Sequence, residues 1–153
     1  RKIPHATCVM HLHTKYATAL SCLKDPTLPP VEQNCMMFYN RFSHDNGYDG
    51  FGIGSEGDRL AGLIGNNSVL MMGQHGVLVV APNIAQAFDK IYYFEQAAKS
   101  YITALQTGKE LNIASNEVAE KTAQQSENFE SYSEYHLKAI RDVLDEEEPE
   151  YLQ

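Results

Sequence analysis

Two short apolar runs joined by a glycine-flanked turn set the strongest constraint on how this chain can fold. Val69–Met72 and residues 77–80 are apolar throughout, which is typical of strands buried in a sheet. Gly73-Gln74-His75-Gly76 joins them. A long amphipathic pattern, with apolar residues three or four positions apart, then runs from about residue 83 to 107 and ends at Gly108. The order strand, turn, strand and long helix predicts a layered α/β domain.

Residues 6–13 alternate in the period of a β-strand. Thr7, Val9, His11 and His13 fall on one face, and Cys8, Met10 and Leu12 fall on the other. A strand therefore places the two imidazoles on the same side of the sheet. The Ala- and Leu-rich residues 15–23 predict a short helix after it, with Thr14 as the N-cap.

The middle of the chain is less regular. Three prolines make residues 25–30 a loop, whereas residues 31–43 fit either a buried strand or a helical turn. Glycine and asparagine predict a loop over residues 44–54. Residues 55–64 predict a helix that opens with the capping pattern Ser55-x-x-Asp58.

A second long helical pattern begins at Asn116 and continues until Pro149 ends it. With 153 residues, the chain is long enough to bury the core of one domain. We expect residues 1–112 to form the main part of that domain. Residues 113–153 are expected to be a helical C-terminal extension of it.

Charge and composition limit the classes of partner. The net charge is −8, with acidic residues concentrated at the C-terminus, which argues against nucleic acid or an anionic membrane as the partner. No apolar run approaches the ~20 residues of a membrane span. The three cysteines form no C-x-x-C pair, which favours reduced thiols in a cytoplasmic protein. Because the chain opens at Arg1 and runs almost directly into a strand, we expect a fragment of a longer protein.

Three histidines are the candidates for chemistry. His11 and His13 share a strand face, and His75 lies between small residues in the turn before the next strand. Three imidazole nitrogens are a typical ligand set for a catalytic zinc ion, which keeps one coordination position open. Gln74 is a candidate neighbour of the metal or of a substrate. The alternative is that His11 and His13 lie on a polar strand face and His75 is an unrelated turn residue. We expect His44 and His136 to be surface residues.

These segments together resemble the class II aldolase/adducin family. The resemblance covers about residues 6–107 and rests on the following segments: His11-Leu-His13-Thr14 with Ala17-Thr-Ala19, then Gln74-His75-Gly76-Val77, and then Ala85-x-Ala87-Phe88. The sequence from Met10 to Ser21 resembles the adducin-like branch of the family more closely than it resembles the sugar-phosphate aldolases.

The resemblance implies a three-layer α/β/α domain with a mostly antiparallel central sheet, here incomplete at the N-terminus. It implies that His11, His13 and His75 bind Zn²⁺ or another divalent metal. In the family's enzymes the metal chelates vicinal oxygens of the substrate and stabilises an enediolate. The family's acid/base carboxylate lies before the H-x-H pair, so we expect it upstream of Arg1, and no catalytic carboxylate is assigned within the chain.

The resemblance leaves several functions open. The first is a zinc-dependent lyase that cleaves or forms a C–C bond in a small hydroxy-carbonyl substrate, a class that includes sugar phosphates. The second is a non-catalytic, adducin-like scaffold that oligomerises and associates with actin. Epimerase, dehydratase and decarboxylase reactions use the same metal site and form a third group.

Family aldolases are homotetramers whose sites are often completed by a tyrosine from a neighbouring subunit. Tyr132, Tyr135 and Tyr151 are the candidate counterparts in this chain. For each of them, packing in the core or an exposed ring is the alternative interpretation.

Overall fold

A computed structural model describes residues 3–48, 50–51 and 54–152 of the chain. Strands and α-helices follow one another in the order β1 (Cys8–Leu12), α1 (Lys15–Ser21), α2 (Gln33–Met37), β2 (Phe42–Asp45), α3 (Glu56–Ile64), β3 (Val69–Met72), β4 (Gly76–Ala81), α4 (Ile84–Gln106), α5 (Asn116–Glu127) and α6 (Ser133–Glu147). Short 3₁₀ turns cover Glu130–Tyr132 and Pro149–Leu152. No helix in these three ranges is long and apolar enough to cross a membrane.

The four strands form one mixed sheet with the order β1-β4-β3-β2. β4 pairs antiparallel with both β1 and β3, whereas β2 pairs parallel with β3. Helices cover both faces of the sheet. α1, α2 and α4 contribute to the larger core on one face, and Ile64 and Leu60 of α3 pack on the other. The predicted α/β/α class with a mostly antiparallel sheet is confirmed.

The alternation of side chains along β3 and β4 divides the interior into two cores. Val69 and Met71 face α4, while Leu70 and Met72 face the smaller cluster beside α3. This is why both strands read as continuous apolar runs in the sequence. Phe94 of α4 is fully buried in the larger core.

Segments that the sequence left undecided are settled by side-chain contacts. Residues 31–43 contain α2 and the start of β2 rather than a single element. The Glu32 carboxylate caps α2 by accepting hydrogen bonds from the amides of Asn34 and Cys35. β2 continues to Asp45, so the predicted loop beginning at residue 44 starts too early.

The prediction of one continuous C-terminal helix is wrong. α5 ends at Glu127, and α6 begins at Ser133 after a 3₁₀ turn. Ser126 Oγ donates to the Ala123 carbonyl and Asn128 Nδ2 donates to the Gln124 carbonyl. Side chains that bond back to helix carbonyls in this way compete with the main-chain ladder, which favours an end to the helix here.

Thr14 and Ser55 occupy the predicted N-cap positions of α1 and α3, but their side chains do not act as caps. Neither Thr14 nor Ser55 makes a side-chain capping hydrogen bond. Ser55 has φ −81° and ψ 4°, outside the extended region from which a cap side chain reaches the first turn. The cap that replaces Thr14 comes from α4, as described below.

Gly73 allows the ends of β2 and β3 to approach closely. Its amide donates a hydrogen bond of 2.8 Å to the Asp45 carbonyl. A Cβ atom at position 73 would lie 2.4 Å from that same carbonyl oxygen. Any other residue here would therefore push β2 away from the turn that follows β3.

Replacement of Gly73 by alanine tests this constraint. We expect Gly73→Ala to lower the free energy of unfolding by about 1–3 kcal/mol, because the added methyl group overlaps backbone atoms. Gly62→Ala is the control, since Gly62 lies in α3 with open space around its Cβ position. That variant should be more stable by up to about 1 kcal/mol. Urea unfolding measures both, and equal effects would contradict the steric argument.

Candidate metal centre

β1 delivers two of the three histidines. His11 lies opposite Leu78 of β4, and His13 follows the last residue of the strand. The Nδ1 atom of His11 lies 3.1 Å from the Val77 carbonyl oxygen. Because a carbonyl only accepts, Nδ1 carries the proton and Nε2 of His11 is left with a free lone pair. Metal-bound histidines are commonly oriented by such a second hydrogen bond.

The turn between β3 and β4 delivers the third histidine and is held by its main chain. The His75 amide bonds to the Met72 carbonyl, and the Gln74 amide bonds to the Ser21 carbonyl at the end of α1. Gln74 adopts a left-handed conformation with φ 56°. Together with the Gly73 bond to β2, these contacts connect the turn to three separate elements.

Gly76 brings this turn against the end of β1. A Cβ atom at position 76 would lie 2.6 Å from the Leu12 carbonyl oxygen and 2.9 Å from Cδ2 of His13. The absence of a side chain at this position is therefore what permits the turn histidine to sit beside the strand pair.

The three imidazoles converge. Their ring centroids are 4.7 to 5.0 Å apart, and Nε2 of His11 lies 3.1 Å from Nε2 of His13. One nitrogen from each ring lies within 4.8 Å of the others. A tetrahedral zinc ion with bonds of ~2.0–2.1 Å places its ligand nitrogens about 3.3 Å apart. The arrangement fits such an ion after small side-chain movements.

The protonation state of His75 suits a metal ligand. Burial lowers the pKa of His75, and the neighbouring His11 and His13 lower it further. A lowered pKa keeps this imidazole neutral at neutral pH, and the neutral form is the one that ligates. His11 and His13 are exposed, so the centre opens to solvent.

The remaining candidates from the sequence, Gln74 and three tyrosines, are exposed. Gln74 is exposed beside the triad, and its role as a neighbour of metal or substrate stays a prediction. Tyr132, Tyr135 and Tyr151 are exposed in the C-terminal segment. Tyr151 donates a hydrogen bond of 2.5 Å to Asp145.

Two histidines expected at the surface are partly buried instead. Nε2 of His44 is enclosed without a hydrogen-bond partner among the residues that the structure describes. Nδ1 of His136 lies 2.7 Å from the Asp89 carboxylate, and its ring packs against Phe88 and Tyr92. His136 lines a separate cavity of about 640 Å³ between α4 and the C-terminal helices, which none of the three converging histidines lines.

Glu95 is a supporting residue that the sequence did not indicate. Its carboxylate accepts hydrogen bonds from the Tyr16 amide (2.9 Å) and the Ala17 amide (2.8 Å). It thereby caps α1 from the middle of α4. Since α1 begins two residues after His13, this cap fixes the chain that leaves the histidine pair. A contact across about eighty residues leaves no local signal in a sequence.

A partly buried charge cluster supports the other side of the turn. Arg59 donates to both oxygens of Asp45 at 2.8 and 2.6 Å and to Glu56 at 2.5 Å. The Asp45 side chain is 6% exposed. Hydrogen bonds from Arg59 hold the pKa of Asp45 below its ordinary value, and the hydrogen bond from the Gly47 amide contributes further.

The chain matches the profile of a known protein family. The profile described as "Class II Aldolase and Adducin N-terminal domain" matches residues 1–102, which is more than half of the chain. The chain belongs to this family. Human beta-adducin is 30% identical over 106 residues, a match that covers 67% of this chain and 14% of that protein.

Solved structures of the class II aldolase family have the same fold. An aldolase II superfamily protein from Pseudomonas syringae superimposes with a TM-score of 0.86 at 27% identity, covering 96% of this chain and 59% of that one. An L-fuculose 1-phosphate aldolase superimposes with a TM-score of 0.65 at 26% identity, covering 78% and 55%. Among curated bacterial relatives, the chain spans 43% and 40% of the length of two proteins named as aldolase class 2.

The Glu95 cap can be tested by stability. Glu95→Ala should lower the free energy of unfolding by about 1–3 kcal/mol, because it leaves amides at the start of α1 without an acceptor. Glu95→Gln should cost less, since its amide oxygen still accepts. Lys99→Ala, at an exposed position of α4, is the control. Thermal and urea unfolding of metal-free protein measure the three variants. If Glu95→Ala behaved like the control, the cap would have no energetic role.

The Asp45–Arg59 pair predicts a dependence of stability on pH. Because the pKa of Asp45 is lowered on folding, its contribution is fully present above the unfolded pKa of about 4 and is lost as pH falls through the folded value. Asp45→Asn should therefore cost about 2–3 kcal/mol at pH 7 and progressively less below pH 4.

Urea unfolding at pH 7 and pH 3 measures this difference. Glu110→Gln, which changes an exposed carboxylate, is the control. A cost for Asp45→Asn that is the same at both pH values would show that the carboxylate charge is not what stabilises the cluster.

Proposed function

We propose that His11, His13 and His75 bind one divalent cation, most suitably Zn²⁺, and that this chain carries the metal-binding part of a class II aldolase-type lyase. The single observation that carries the proposal is the convergence of three imidazoles from two separate segments on one point. Membership of the family supports it, because family members named as aldolases share this fold.

The ligand set favours zinc over the hard cations. Calcium and magnesium prefer oxygen ligands, whereas zinc takes imidazole nitrogens readily. His11 is already oriented through its Nδ1 contact with the Val77 carbonyl. The exposure of His11 and His13 leaves room for a fourth ligand from the substrate.

The proposed substrate is a small hydroxy-carbonyl compound, in which a C–C bond is cleaved or formed. When bound, the metal would act as a Lewis acid that stabilises negative charge on substrate oxygens. The chain's own residues hold this centre in place: Glu95 fixes the segment after His13, and the main-chain bonds of the turn fix His75.

We propose that proton transfer falls to the acid/base carboxylate that precedes the H-x-H pair in the family's enzymes. The nearby carboxylates of Asp45 and Glu56 are both engaged with Arg59, which makes them poor acceptors of a substrate proton. We further propose a cytoplasmic homotetramer in which a neighbouring subunit's Tyr132, Tyr135 or Tyr151 completes the site. Their exposure in the single chain supports this.

A second candidate function is a non-catalytic, actin-associated scaffold of the adducin type. The observation that favours it is the 30% identity to human beta-adducin. Epimerase, dehydratase and decarboxylase reactions remain alternatives on the same metal centre. Turnover of hydroxy-carbonyl substrates separates the enzymes from the scaffold, and the products formed separate the reactions.

Metal analysis tests the triad directly. Protein purified without chelators should contain one zinc ion per chain, and His75→Ala should lose it on dialysis because only two ligands remain. His5→Ala changes an exposed histidine outside the triad and should keep the metal. Atomic absorption and competition with a chromophoric chelator measure both. Unchanged zinc content in His75→Ala would refute the assignment. Full zinc content without turnover of hydroxy-carbonyl substrates would favour the scaffold.

A further inference from the structure

A small pocket opens directly beside His75. Its volume is about 130 Å³, and its wall includes Tyr48, Gly57, Leu60 and Met72 in addition to the histidine. The Tyr48 ring meets the His75 ring edge-on at 5.8 Å. The pocket is thus continuous with the proposed metal centre on the side that faces α3.

The size of the pocket limits what can enter. A volume of about 130 Å³ corresponds to that of about four water molecules in the liquid. Such a space holds a substituent of a few non-hydrogen atoms. A long sugar chain does not fit without displacement of α3.

The charge of the pocket limits the substituent further. Asp45 and Glu56 line it, and Arg59 behind them is engaged with both carboxylates and with the Gly47 carbonyl. Among the described residues of this wall, two carboxylates against one guanidinium leave a net charge of −1. The described lining contains neither lysine nor arginine. The proposed metal beside the pocket would already be chelated by the substrate's two oxygens. An anionic substituent in the pocket would therefore meet repulsion from the carboxylates and find no further free cation among the described lining residues.

We infer that this pocket receives the short, uncharged end of the substrate, such as a hydrogen, methyl or hydroxymethyl substituent, and excludes phosphate and carboxylate groups. The inference rests on the proposed function, because it assumes that the substrate's vicinal oxygens meet a metal at the triad. Any phosphate or other anionic group of the substrate must then point away from α3.

α3 offers matched positions for testing the inference. Gly57 and Gly62 both lie in α3, and a Cβ atom at either position meets nothing within 4 Å. Gly57 lines the pocket, whereas Gly62 does not. Leucine at either position should improve helix propensity similarly, so the two variants differ chiefly in whether they fill the pocket.

The probe for size is acetohydroxamic acid, which chelates zinc through two vicinal oxygens and carries only a methyl group. Calorimetry on the zinc-loaded chain should show that Gly57→Leu weakens its binding by about tenfold or more, with less than about twofold for Gly62→Leu. Gly57→Ala should give a smaller loss than leucine and keeps the test usable if the leucine variant does not fold. Equal affinities for the Gly57 and Gly62 variants would overturn the inference.

The probes for charge are malonic acid monohydroxamate and its neutral primary amide, which are nearly identical in shape. The neutral amide should bind about tenfold more tightly, and added salt should narrow the difference. Equal or tighter binding of the carboxylate would overturn the inference.

Zinc content is measured before any probe is added. Absence of zinc at that stage would refute the proposed function, whereas zinc-loaded protein with the wrong probe preference refutes only the inference about the pocket.

Discussion

The hydrogen bond from the Gly73 amide to the Asp45 carbonyl is the contact on which the candidate centre most depends. It joins the end of β2 to the turn that carries His75. The side chain of Asp45 is at the same time held by Arg59 of α3. Asp45 therefore connects the edge strand β2, the helix α3 and the turn that carries the proposed ligand His75. Its side chain is almost fully buried, so its charge requires the guanidinium partner.

α4 gives the opposite side of the centre its support. Glu95 in the middle of this helix caps α1 and so fixes the segment after His13. Nearer its start, Asp89 contacts His136 of α6 and Lys90 pairs with Glu130 at 2.6 Å. The C-terminal segment and the histidine pair are thus attached to the same helix. The apolar face of α4 packs on the sheet between them.

Local sequence patterns predicted β1, β3, β4 and α4 because each pattern extends over a whole element. They also predicted the histidines that the structure brings together, since the H-x-H spacing and the glycine-flanked turn are local features. The Glu95 cap was missed because its partners lie almost eighty residues away in the chain, and the Arg59–Asp45 pair was missed because the two residues belong to different elements. The break after Glu127 was missed for a different reason, because the apolar periodicity continues across it. The break depends on the hydrogen bonds that the Ser126 and Asn128 side chains donate to helix carbonyls, and the periodicity does not reveal these bonds.

The turn around His75 is positioned by amide and carbonyl groups, which every residue other than proline possesses. The exposed side chain at Gln74 takes no part in those bonds. Among residues that tolerate the left-handed backbone at position 74, the side chain can therefore vary in chemistry while the imidazole next to it stays in place. A fold with this property can acquire new substrate preferences by single substitutions at position 74 without movement of the three histidines. The position that can change, Gln74, and the proposed ligand that stays fixed, His75, are thus adjacent residues.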